Sequence, residues 1–274
     1  VTAGEHPDRV AGAVGPVRPV RPVRPVRPAR PVRGVIFDWG GTLTPWHTVD
    51  MRAQWNVFAD GMGHVACARD ELASAILAAE DAAWRHGRTH GGSARLADIL
   101  ESVGLTSGHP AFEAGLAAYR DFWEPHTLTH PDVEALWTSL RDKGIRVGVL
   151  SNTIWEREYH RSIFERDGVL HLIDADVYSS ETPWVKPRTE IFVHAAEALG
   201  VDPGECAYVG DRSYEDVHGP QQAGMRAIWI PHSQIPVDQQ VSHEATPDAV
   251  AHELLDVAAI VAAWNEAADG ETAP

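Results

Sequence analysis

The sequence predicts an α/β protein: a doubly wound parallel sheet with a small, separate helical domain inserted into it. Two observations lead there. Short apolar runs ending in polar or glycine residues alternate with amphipathic stretches near the start of the chain and again beyond Pro131, whereas residues 48 to 122 show helical spacing only. With 274 residues, 44% of them hydrophobic, the chain can bury a full α/β core and still carry an accessory domain.

Regular structure is expected from Gly34. Val35-Ile36-Phe37 is an apolar run that ends in Asp38 and is turned by Gly40-Gly41, the pattern of a buried parallel strand with a functional loop at its carboxyl end. Apolar residues then recur at helical spacing over 48–59, 69–86, 93–103 and 110–122, with Gly61, Gly63, Gly87 and Gly91-Gly92 read as breaks. Beyond Pro131 the order is helix 131–143 stopped by Gly144, strand 145–150, helix 155–166, strand 174–178, helix 188–199 stopped by Gly200 and strand 206–209. Helix 214–223 stopped by Gly224, strand 226–230 and a final amphipathic helix over 247–264 complete it. Such alternation specifies a parallel sheet covered on both faces, with Rossmann-like winding. The domain plan is therefore a core of residues 34–47 and 124–274 with a helical domain of residues 48–123 between its first two strands.

Residues 16–33 repeat Pro-Val-Arg, with one Pro-Ala-Arg step. That composition favours extended polyproline II and offers no apolar face, so residues 1–33 are read as a disordered tail. Seven arginines against Glu5 and Asp8 give the tail a net +5, so of the chain's formal charge of −16 the remainder carries −21. An acidic body repels nucleic acid and anionic membrane surfaces, and a small soluble substrate fits better. Two widely separated cysteines, Cys67 and Cys206, suggest neither a disulfide framework nor a thiolate metal site. The absence of a long apolar run and of a secretory-signal pattern adds the expectation of a cytoplasmic protein. Oligomeric state is not encoded in any feature of this kind.

Polar residues stand where the strands end: Asp38, Ser151-Asn152, and Asp211 with Asp216, with Lys186 in the segment between strands 174–178 and 206–209. In an open parallel sheet such ends share one edge, so residues distant in sequence converge on one crevice. Carboxylates grouped there can hold Mg²⁺, a hard cation that prefers oxygen ligands, while a lysine and a hydroxyl can meet phosphate charge. Each residue also has a plainer reading, since Asp38, Ser151, Asp211 and Asp216 could each cap a helix. Lys186 is singled out by scarcity: the only other lysine, Lys143, precedes Gly144 and reads as the complement of a helix dipole.

Phe37-Asp38-Trp39-Gly40-Gly41-Thr42-Leu43, Ser151-Asn152, Lys186-Pro187 and Gly210-Asp211 through Asp216, in that order, resemble the four motifs of the haloacid dehalogenase-like superfamily. Glu190-Ile191-Phe192 and Ala223-Gly224-Met225 stand in the usual flanking places, and the helical insert resembles the family's C1-type cap. The resemblance implies that Asp38 is a nucleophile that forms an aspartyl-phosphate. Ser151, Asn152 and Thr42 would then meet the phosphoryl group, Lys186 would neutralise nucleophile and phosphate, and Mg²⁺ would be bound by Asp38, Asp211 and the Gly40 carbonyl, with Asp216 either reaching the metal through a bound water or positioning Lys186. The implied substrate is a small phosphorylated metabolite.

One position departs from the pattern. Phosphatases of the family place a second aspartate two residues after the nucleophile as proton shuttle, and here that residue is Gly40. Three readings follow: a good leaving group or a substitute acid, with His47, Asp50, His86 and His90 as candidates; a metal-free 2-haloacid dehalogenase branch; or a weakly catalytic binding or regulatory protein. A phosphonoacetaldehyde-hydrolase branch is disfavoured, because residues 48–122 contain no lysine for its Schiff base. His86 and His90 could in principle hold zinc, but the intervening Gly87 argues for a solvated loop. Trp46, Trp55, Trp84 and Trp123 are read as core aromatics before pocket walls.

Overall fold

The computed structural model describes residues 30–45, 48–64, 66–90, 92–231 and 245–271. Residues 1–29 of the Pro-Val-Arg tail, together with Trp46, His47 and the side chain of His90, lie outside that set, and so does the zinc reading. The last tail residues are held by the core. Val32 is buried, and its N–H and carbonyl are both bound by the Asn265 side-chain amide at 2.6 and 3.0 Å.

Six parallel strands form one sheet in the order β3-β2-β1-β4-β5-β6. They are β1 (Gly34–Phe37), β2 (Arg146–Ser151), β3 (Ala175–Tyr178), β4 (Cys206–Gly210), β5 (Arg226–Trp229) and β6 (Ala249–Val250). The chain winds outward from β1 to β3, then returns to place β4 on the other side of β1. This reversal makes β1 and β4 the topological switch point, the place beside which open α/β sheets gather their functional residues at the strands' carboxyl ends.

Residues of alternate parity build the two faces, because side chains in a strand point to opposite sides. Val35, Phe37, Val147, Val149, Ala207 and Val209 enter the larger core with Trp137, Phe164, Val257 and Val261. Ile36, Leu150, Val177 and Tyr208 enter the smaller one with Ile191, Phe192, Ala195 and Leu199.

Between β1 and β2 stand α1 (Met51–Gly61), α2 (Ala66–His90), α3 (Leu96–Ser102) and α4 (Pro110–Trp123). Trp55, Phe58, Ile76, Ile99, Leu100, Phe112 and Tyr119 are among the buried side chains of this insert. The remaining helices, α5 (Val133–Asp142), α6 (Arg157–Arg166), α7 (Thr189–Leu199), α8 (Gly219–Gln222) and α9 (Asp256–Glu271), cover the sheet. No helix among the described residues is long and apolar enough to cross a membrane.

Three elements differ from expectation. α2 runs through Gly87 to His90 without a break. The glycine serves packing there, since a Cβ on it would lie 2.7 Å from the carbonyl oxygen of Gly92. The expected helix 214–223 divides into a π-helical turn, Ser213–His218, and the short α8. The expected helix 247–264 starts only at Asp256, because Ala249 and Val250 pair with Ile228 and Trp229 on the open edge of β5. Asp256 then sets the start by accepting the backbone N–H groups of His252 and Glu253 at 2.9 and 3.0 Å.

Candidate active site

Asp38 is the first residue after β1, and its N–H donates to the Val209 carbonyl of β4 at 2.8 Å. This fixes the carboxylate at the switch point. The chain then turns at once: the Trp39 carbonyl accepts the N–H groups of Thr42, Leu43 and Thr44 at 3.3, 2.9 and 3.2 Å. Gly41, at φ 83°, adopts the left-handed conformation that the turn needs.

Lys186 arrives from the β3–α7 connection with its side chain 3% exposed. Its ammonium donates to Asp38 Oδ1 at 2.7 Å, to Asp216 Oδ1 at 2.7 Å and to the Tyr208 hydroxyl at 3.0 Å, which uses all three of its protons. The backbone of Lys186 is fixed as well. Asn152 Nδ2 donates to its carbonyl at 3.1 Å and Asn152 Oδ1 accepts its N–H at 2.9 Å, so this side-chain amide ties the β2 loop to the lysine.

Asp211 follows β4 directly, and Asp216 lies in the π-helical turn, where its Oδ2 accepts the Arg212 N–H at 2.9 Å. One carboxylate oxygen from each of Asp38, Asp211 and Asp216 lies within 4.8 Å of the others. Both oxygens of Asp211 are buried without a partner among the described residues. Three buried carboxylates against one ammonium leave two negative charges, and an unpaired buried carboxylate is costly. The set therefore fits a divalent cation with oxygen ligands.

The electrostatics agree. Burial raises the Asp38 carboxyl to about 6, against the pull of Lys186. Burial also drives Asp211 well above the usual carboxylate range, with Asp216 and Asp38 adding to the rise. For Lys186 burial works the other way, but Asp216 and Asp38 outweigh it and hold the ammonium above its ordinary value.

Ser151 is buried at the end of β2, and its hydroxyl has one long contact, 3.5 Å to the Asn152 carbonyl. The Thr42 hydroxyl is buried without a partner among the described residues. Gly40 is half-buried, and no described residue stands within 4 Å of where its Cβ would be. Asp50, a candidate substitute acid, is occupied as the N-cap of α1, accepting Arg52 and Ala53 N–H groups at 2.9 and 3.2 Å. Trp55 is fully buried and Trp84 and Trp123 pack against the same core.

Tyr208 was not among the expected residues. It accepts from Lys186 and donates to the Leu150 carbonyl at 3.0 Å, linking β4, β2 and the lysine. The one trace of it in the sequence is a hydroxyl inside an otherwise apolar strand, where burial demands a partner.

A family model described as haloacid dehalogenase-like hydrolase matches residues 32–224. The glyceraldehyde 3-phosphate phosphatase of Methanopyrus kandleri is 30% identical over 162 residues, which cover 58% of this chain and 69% of that protein. Among solved structures, a HAD phosphatase from Thermococcus onnurineus has TM-score 0.59 at 21% identity, covering 84% of this chain and 98% of the other. The 2-haloacid dehalogenase of Pseudomonas syringae pv. Tomato DC3000 also has TM-score 0.59 at 21% identity, with 85% and 99% covered, so the likeness of fold does not separate phosphatase from dehalogenase. With the family model spanning well over half its length and the carboxylate–lysine set at the switch point, the chain belongs to the haloacid dehalogenase-like hydrolases.

Proposed function

We propose that this hydrolase is a Mg²⁺-dependent phosphoric monoester hydrolase that acts on a small, soluble phosphorylated metabolite of the cytoplasm through an aspartyl-phosphate at Asp38. The observation that carries the reading is the pair of orphaned, buried Asp211 oxygens beside an Asp38 already paired with Lys186. A dehalogenase site that needs no metal has no use for that excess of buried negative charge. The phosphatase named among the relatives supports the same side of the choice.

Asp38, Asp211, the Gly40 carbonyl and, through water, Asp216 would hold the cation, which supplies charge neutralisation for the nucleophile and the phosphoryl oxygens. In the first step a carboxylate oxygen of Asp38 attacks phosphorus. The Asp38 O–P bond forms as the ester P–O bond breaks, and the leaving oxygen takes up a proton from solvent water. A water then attacks phosphorus and gives up a proton to solvent, the Asp38 carboxylate leaves, and inorganic phosphate is released. Lys186 stays charged throughout and lowers the repulsion between the carboxylate and the incoming dianion. Ser151, Thr42 and the backbone at Asn152 would receive the phosphoryl oxygens.

A panel of small phosphate esters, assayed for phosphate release with Mg²⁺ and with EDTA, tests the proposal. Release should require the metal and disappear in Asp38→Asn. Activity indifferent to EDTA and to that substitution would refute it, and halide release from 2-haloacids would install the dehalogenase reading instead.

A further inference from the structure

The segment Ser151–Trp155 leaves β2 carrying the residues assigned above to phosphate, and it is held at both ends. On the core side, Thr153 and Ser179 exchange two hydrogen bonds: Thr153 N–H donates to Ser179 Oγ at 2.9 Å, and Ser179 Oγ donates to the Thr153 carbonyl at 3.1 Å. The Thr153 hydroxyl accepts the Trp155 N–H at 3.0 Å and lies 3.1 Å from Nε2 of the fully buried His160.

On the other side the segment is bound by the helical insert. The Leu96 N–H, at the start of α3, donates to the Ile154 carbonyl at 2.8 Å. Trp155 Nε1 donates to the Tyr119 hydroxyl of α4 at 2.9 Å. Trp123, also of α4, meets the Trp155 ring nearly edge-on at 5.1 Å between centroids. The same indole reaches Trp39, next to the nucleophile, at 5.6 Å. Tyr119 is anchored deep in the insert, stacked on Trp55 at 4.9 Å.

We propose that Trp155 is a positioning residue that couples the helical insert to the Ser151–Asn152 loop: the Tyr119–Trp155 hydrogen bond carries the placement of the insert into the cradle for phosphate. The step to phosphate rests on the function proposed above; the mechanical link does not. An indole suits this place because one rigid ring touches α4, Trp39 and its own loop at once, and its buried N–H is satisfied by the hydroxyl from the insert.

Tyr119→Phe removes the acceptor from the insert side and Trp155→Phe removes the donor from the core side. Ile76→Val, in α2, loosens the insert without touching this pair. Two measurements are made on each: backbone hydrogen exchange over residues 151–155, and binding of inorganic phosphate by calorimetry in the presence of Mg²⁺. In both Phe variants exchange over 151–155 should accelerate and phosphate should bind about five- to tenfold more weakly, with the double variant no worse than either single. Ile76→Val should leave both unchanged. Unaltered exchange in Tyr119→Phe, or equal acceleration in Ile76→Val, overturns the coupling; faster exchange with undiminished phosphate binding overturns the positioning role. A wild-type protein that binds no phosphate while Tyr119→Phe still speeds exchange refutes the phosphatase reading and leaves the link intact.

Discussion

Lys186 donates to Asp38, Asp216 and Tyr208 and has no proton left for a fourth partner, so the geometry of the site hangs on its three contacts. The residue that stands out beside it is the one with no side chain. By the resemblance of its motif, Gly40 would stand where the family's phosphatases carry their proton shuttle, and such a group is worth roughly 10²- to 10⁴-fold in rate. There is open space for a Cβ at that point and no left-handed backbone to strain. Gly40→Asp should therefore raise turnover of alkyl phosphates at least about tenfold, and far less that of aryl phosphates, whose leaving oxygen needs little protonation. Equal or lower rates on alkyl esters would show that proton delivery is not the bottleneck. At this scale the ionised residues were legible in the sequence, since a carboxylate after an apolar strand and before two glycines has few bland uses. Tyr208 was not, because a tyrosine within Cys206-Ala-Tyr-Val-Gly looks like any other strand aromatic until the lysine from another loop is seen beside it.

At the scale of elements, the helical insert depends on one close crossing. α1 and α4 meet where Gly61 faces Gly115: a Cβ on Gly115 would lie 2.8 Å from the Phe58 carbonyl oxygen and 2.6 Å from Met62 Cγ, and one on Gly61 would lie 2.9 Å from Gly115 Cα. The backbone contact cannot yield as a flexible side chain can. Gly115→Ala should cost about 1–3 kcal/mol by overpacking, although alanine is the better helix former. Gly270→Ala in α9, with nothing within 4 Å, should be neutral or slightly stabilising. Thermal unfolding of the two variants decides it; equal midpoints would mean that α1 and α4 slide apart at little cost. The sequence marked Gly61 as a break and left Gly115 unremarked, since a glycine inside a helix reads as weakness until a neighbour is known. β6 was hidden for the converse reason. Ala249-Val250 is too short to show a period of its own, and only the unpaired edge of β5 makes it a strand.

For the whole molecule, the order β3-β2-β1-β4-β5-β6 brings distant motifs to one edge of the sheet; strand–helix alternation foretold the parallel sheet and the shared edge, but not the order of the strands. Nor can alternation encode how the core is tied together beneath that edge. His160 is a case in point. Its ring stacks on Tyr178 at 4.3 Å and meets Trp39 edge-on at 4.7 Å, and its Nδ1 is buried without a partner among the described residues. Burial lowers its pKa to about 3, whereas in the unfolded chain it returns to about 6.5. Above pH of about 6.5 the imidazole is neutral in both states, and its contribution to stability is fully present. Between about 6.5 and 3 the unfolded chain binds a proton that the folded one refuses, so stability falls with acidification by up to roughly 1.4 kcal/mol per pH unit from this group. His160→Phe keeps an aromatic ring in the slot and cannot take the proton. Its midpoint should lie below that of wild type at pH 7.5, where the Thr153 contact is missed, and the gap should narrow or reverse by pH 4.5. Melting curves that fall in parallel for the two proteins over that range would show that acid attacks the fold elsewhere.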